Sequence, residues 1–136
     1  MRRLLATLAA FAGAFVLAMP NAVAGSPHFI ASSLSTTVSG STLTVSGKEA
    51  GLGDEAQVHV VLSATAECIN GGGRHPKATN KTSVSASGTF PVQNGKADFT
   101  LSATASFQPN CSPPMSVVFV DVVLTDTTNG ISLRLR

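Results

Sequence analysis

The sequence predicts an all-β fold, an immunoglobulin-like β-sandwich of about seven strands closed by one disulfide. Three observations carry that reading. Apolar and polar residues alternate with period two through most of the chain beyond residue 24. Turn-forming pairs such as Asn94-Gly95 and Asn129-Gly130 separate the alternating stretches. The cysteines are two, Cys68 and Cys111. A small Greek-key barrel shares these features, and the sandwich is favoured.

Residues 1–24 stand apart from the rest. Arg2 and Arg3 precede an apolar run from Leu4 to Met19, and Ala22-Val23-Ala24 has the small-x-small pattern that signal peptidases cut. The run is too short and wrongly flanked for a stable membrane anchor. The expectation is a cleaved secretory signal over 1–24, then a single extracellular domain over 25–136. A domain of that size buries roughly 65% of its unfolded surface, enough for a core without a metal.

The strands follow in order. Ser33 to Ser39 and Thr42 to Gly47 are weakly alternating and joined by Gly40-Ser41. Gln57 to Cys68 turns Val58, Val60, Leu62, Ala64 and Ala66 inward, with Cys68 on the same side. Thr82 to Val92 is weaker. Lys96 to Phe107 is the clearest: Ala97, Phe99, Leu101, Ala103, Ala105 and Phe107 face one way, against Asp98, Thr100, Ser102, Thr104 and Ser106. Ser116 to Thr125 is apolar on both faces, as a central strand should be. Ile131 to Leu135 closes the set. Strands that reverse direction in turn bring the connections at 68–81 and 108–114 to one end, beside Gly40-Ser41. The two cysteines belong to those two connections. An oxidising compartment makes them a disulfide, and closing a loop of about 44 residues contributes roughly 4 kcal/mol in the chain-entropy model.

Charge narrows the function. Beyond residue 24 the chain carries seven basic residues (Lys48, Arg74, Lys77, Lys81, Lys96, Arg134, Arg136) and seven acidic ones (Glu49, Asp54, Glu55, Glu67, Asp98, Asp121, Asp126). A neutral domain has no electrostatic footprint for nucleic acid or an anionic membrane. No tryptophan or tyrosine is present, which excludes an aromatic platform for carbohydrate or single-stranded nucleic acid.

The connection from Cys68 to Lys81 is long for a hairpin. It holds Asn70, then Gly71, Gly72 and Gly73, whose bare backbone admits close approach, then Arg74, His75, Lys77, Asn80 and Lys81 with no acid among them. Such a segment suits a carboxylate, phosphate or sulfate. The segment Gln108 to Pro114 is stiffened by Pro109, Pro113 and Pro114 and has the character of an inhibitor's presented loop.

Lys48-Glu49-Ala50-Gly51-Leu52-Gly53-Asp54, Cys68-Ile69-Asn70-Gly71-Gly72-Gly73, His75-Pro76, Asn80-Lys81, Gly88-Thr89-Phe90 and Thr125 to Gly130 together resemble a group of small secreted actinobacterial proteins. The resemblance covers most of the chain beyond the leader and implies export and a shared fold, with no activity attached. A fainter similarity, in Leu43-Thr44-Val45-Ser46-Gly47 and Ala50-Gly51-Leu52, is to secreted enediyne-antibiotic apoproteins, and implies a carrier of an apolar small molecule.

Catalysis finds little support. The histidines are His28, His59 and His75; only His59 has a prospective partner, Asp121 on the neighbouring strand, and no nucleophile elbow accompanies them. No metal-ligand spacing occurs, although Asp54, Glu55 and Asp126 are expected at one end, where a calcium ion is conceivable. The expectation is a secreted, non-enzymatic binding protein without a cofactor. It is expected to be monomeric and to meet a protein or an anionic envelope polymer through the disulfide-clamped end. The alternatives are the small-molecule carrier, a structural cell-surface protein and a protease inhibitor.

Overall fold

The computed structural model describes residues 26–71 and 80–136. The leader assigned to 1–24, and Gly72, Gly73, Arg74, His75 and Lys77 of the long connection, lie outside the described residues.

Eight strands form: β1 (His28–Phe29), β2 (Ser35–Ser39), β3 (Thr42–Ala50), β4 (Gln57–Ile69), β5 (Lys81–Pro91), β6 (Ala97–Thr104), β7 (Ser116–Asp126) and β8 (Ile131–Arg134). They make two antiparallel sheets of four. In one, β3 is central, with β6 along one edge and β1 and β2 placed end to end along the other. The second sheet has the order β5-β4-β7-β8. The architecture is a β-sandwich in which the strand after β4 stays in β4's sheet, so the chain changes layers between β5 and β6 at the Asn94-Gly95 turn.

Alternation builds the core as the sequence requires. Leu43 and Val45 of β3, Val58, Val60, Leu62 and Ala66 of β4, and Phe99, Leu101 and Ala103 of β6 are buried between the sheets. Phe99 meets Phe29 edge-on at 5.7 Å, tying the short β1 to the far edge of its sheet. Beyond β6 the backbone leaves the ladder, yet Ala105 and Phe107 stay buried, continuing the apolar face.

Two departures have plain causes. The second expected strand stops at Gly47, whereas β3 runs on to Ala50. Gly47 sits inside the strand because Leu34 and Phe99 cover it; an added Cβ would lie 2.6 Å from Leu34 Cδ2. The two-sided apolar pattern of Ser116 to Thr125 reflects a β-bulge as well as a central position. Ser63 pairs with Val123 and Thr65 with Val120, so Ala64 faces both Asp121 and Val122. The extra residue reverses the parity: Phe119 points inward before the bulge, Val122 and Leu124 after it. Asp121 itself adopts φ +50°, a left-handed conformation that Asn, Asp and Gly tolerate best.

Candidate functional site

The disulfide pole comes first, because covalent chemistry fixes it. Cys68 at the end of β4 and Cys111 between β6 and β7 are bonded, their Cα atoms 5.8 Å apart. The described ends of the 68–81 connection, the 105–115 segment and the Gly40-Ser41 turn lie together at this end of the sandwich. Ala105 N–H donates to the Ser41 carbonyl at 2.8 Å, fixing the turn to the segment. Met115 Sδ lies 3.8 Å from Cys68 Sγ, and Met115 N–H donates to the Ser112 carbonyl at 2.9 Å. Among the described residues the two large apolar side chains left exposed are Val38 and Met115, both toward this pole.

Of the expected contact residues, Asn70 and Gly71 are exposed just beyond β4, and Asn80 is exposed just before β5. Lys81 is not a free cation: its Nζ lies 3.3 Å from Glu67 Oε1, a carboxylate almost fully buried on the adjoining strand. The acid missing from the loop sequence is supplied by β4, directly opposite Lys81 in the ladder.

His59 and Asp121 do not meet. His59 Nδ1 is 3.1 Å from Thr89 Oγ1 on β5, and Arg134 donates to Asp121 Oδ1 at 2.7 Å from β8. The cause is register: His59 lies next to Val60, which pairs with Asp126, so Asp121 falls farther along β7, at the bulge.

The opposite pole holds a group the sequence disclosed only in part. Glu49 of β3 and Asp126 of β7 are both fully buried, one from each sheet, at inward positions that continue the apolar series. Neither Glu49 oxygen receives a hydrogen from a surrounding amide, amine or hydroxyl. The partner in reach is the Asp126 carboxylate, and two carboxyl groups bond only when one keeps a proton. Glu49 keeps it. Burial, then the bond to Asp126, then the negative charge of Asp126 and Glu55 push its carboxyl up to about 9. Burial alone would raise Asp126 as well. Bonds from Glu49, from the Asn129 side chain and from the Asn129 and Thr128 backbone outweigh it and hold Asp126 below its ordinary value.

Asn129 completes the cluster. Its Nδ2 donates to Asp126 Oδ2 at 2.6 Å and to Glu55 Oε2 at 3.0 Å, bringing Glu55 and Asp126 together as strand reversal requires. Thr128 N–H and Asn129 N–H donate to Asp126 Oδ1 at 2.8 and 3.1 Å. Among the described residues no three His, Cys, Asp or Glu side chains are arranged to hold a metal ion. The cluster stores a proton and closes the interior between the sheets. Once β3 is known to run through Gly47 to Ala50, parity along it (Leu43, Val45, Gly47, Glu49) turns Glu49 inward; the bulge hides the same property of Asp126.

No helix among the described residues is long and apolar enough to cross a membrane. Comparison with protein-family models, with curated proteins and with solved structures found no match.

Proposed function

We propose that this chain is an exported, non-enzymatic binding domain that meets an acidic partner, a polymer or a protein surface, through its disulfide pole. The observation that carries the reading is the bond between Cys68 and Cys111. It brings the two described ends of the glycine-rich connection, at 69–71 and 80, and the proline-rich segment to one end, so one partner can meet both, and the proline-rich segment is stiff enough to bind with little ordering cost. The exposure of Val38 and Met115 toward the same end supports it, since apolar side chains inside a polar rim are common at interfaces. With Lys81 engaged by Glu67, Arg74 and Lys77 are the cations assigned to the partner.

The test is binding of the 25–136 domain to dextran sulfate and to polyglutamate at low salt. Arg74→Ala combined with Lys77→Ala should weaken binding about tenfold or more, and Met115→Ser should weaken binding to a protein partner recovered from culture. Equal binding by the double variant and the parent discards the site. A carrier of apolar small molecules is not favoured. The apolar cleft beside Phe29, Ile131 and Leu133 measures about 200 Å³, below the roughly 300 Å³ at which ligand pockets begin.

A further inference from the structure

The outer faces of the two sheets are both rich in hydroxyls, some bonded in opposed pairs and some not. Thr42 meets Thr104 at 2.9 Å and Thr44 meets Ser102 at 2.8 Å on the β3/β6 sheet, and Thr125 meets Ser132 at 3.1 Å on β7/β8. On the β4/β5 sheet, Ser63 stands opposite Ser85 and Thr65 opposite Ser83 in the same kind of register. No hydrogen bond joins those four hydroxyls to each other or to any other described side chain. They line a hollow of about 350 Å³, together with Asp121.

Asp121 is there because of the bulge. The extra residue in β7 interrupts the ladder opposite Ala64 and turns the Asp121 side chain onto the outer face, at the price of a left-handed backbone. Arg134 holds Oδ1, which orients the carboxylate and leaves Oδ2 without a partner among the described residues. Four hydroxyls that donate and accept and one carboxylate oxygen that accepts line one small hollow, with the Arg134 guanidinium held against that carboxylate from β8. Vicinal hydroxyls of a sugar ring, each a donor and an acceptor, match that set.

We propose that the hollow formed by Ser63, Thr65, Ser83, Ser85 and Asp121, with Arg134 behind it, is a saccharide-binding site that holds a sugar unit by hydrogen bonds. It lies on the face of the β5-β4-β7-β8 sheet and uses none of the residues assigned to the disulfide pole. Stacking plays no part, consistent with the absence of tryptophan and tyrosine.

The test is amide NMR of the 25–136 domain titrated to tens of millimolar with maltose, cellobiose and N,N′-diacetylchitobiose in turn. At least one should shift amides within 63–65, 83–85 and 120–122. Asp121→Asn, which keeps a residue tolerant of the left-handed conformation, should weaken that binding about tenfold. Ser63→Ala with Ser85→Ala should weaken it independently of any effect on the bulge. Thr44→Ala with Ser102→Ala on the other sheet, and Arg74→Ala with Lys77→Ala, should leave it unchanged, so failure here and failure at the disulfide pole are separable. The proposal is overturned if none of the three sugars shifts these amides, if the shifts fall elsewhere, or if Asp121→Asn and the serine double variant both bind as the parent does.

Discussion

Glu49 and Asp126 reach each other across the interior from opposite sheets, and one proton serves both carboxyl groups. Neither could sit there as a lone anion, because removing a charge from water without a partner costs far more than a domain's whole stability.

That pair gives the fold a pH dependence of defined sign. Folded Glu49 holds its proton up to about 9, while the unfolded chain releases it near 4.5. Its contribution is therefore complete below pH 4.5 and fades as pH rises toward 9. Asp126 acts in the other sense: its carboxyl is held below the ordinary 3.8, so its contribution is present above that pH and lost as pH falls further. The thermal midpoint should peak in mild acid and decline toward pH 9. Glu49→Gln, which keeps a neutral donor toward Asp126, should flatten the alkaline decline and match the parent near pH 4.5. Melting curves across that range check it; an undiminished alkaline decline in the variant would trace the effect to other groups.

Asp126→Asn should be costly at neutral pH, where the carboxylate is ionised. The carboxylate accepts from two backbone amides, from Asn129 and from Glu49. An amide there turns one acceptor into a donor facing the Asn129 donor. A loss of about 2–3 kcal/mol is expected, read from urea unfolding at neutral pH.

Two glycines separate backbone strain from crowding. Gly51 (φ +75°) and Gly130 (φ +69°) are both left-handed. A Cβ on Gly130 meets open space, whereas one on Gly51 runs into the Ser26 carbonyl. Gly130→Ala should cost about 1–2 kcal/mol, the strain alone. Gly51→Ala should cost more, and should also release the segment before β1, seen as faster amide exchange at His28 and Phe29.

Replacing both cysteines by alanine should lower stability by about 3–4 kcal/mol. The sheets should survive, because the core of β3, β4, β6 and β7 does not depend on sulfur. Retained far-ultraviolet circular dichroism with a lowered unfolding midpoint is the expected result.

The layers and the disulfide were legible because each rests on local signals: period-two alternation in β4 and β6, Asn-Gly at the turns, and two cysteines on neighbouring connections. The ends of elements were less so. Gly47 reads as a terminator, and only its neighbours Leu34 and Phe99 explain why it is internal. A bulge leaves no mark in composition, so the inward turn of Asp126 and the outward turn of Asp121 are invisible until the ladder is drawn. The ion pair of Lys81 with Glu67 joins loop to strand, and reading the loop by itself cannot find it. Asn70, Gly71, Asn80 and Lys81 do fall at the pole that strand reversal assigns them.

The cysteine bond closes a covalent ring that contains β5 from one layer and β6 from the other, its ends 43 positions apart in the sequence. Stretching the oxidised chain from its two termini therefore leaves roughly 150 Å of backbone slack unreachable. Force would strip β1, β2, β3, β7, β8 and nearly all of β4 away while the ring carrying β5 and β6 stayed closed. Reduction would release that hidden length in a separate step.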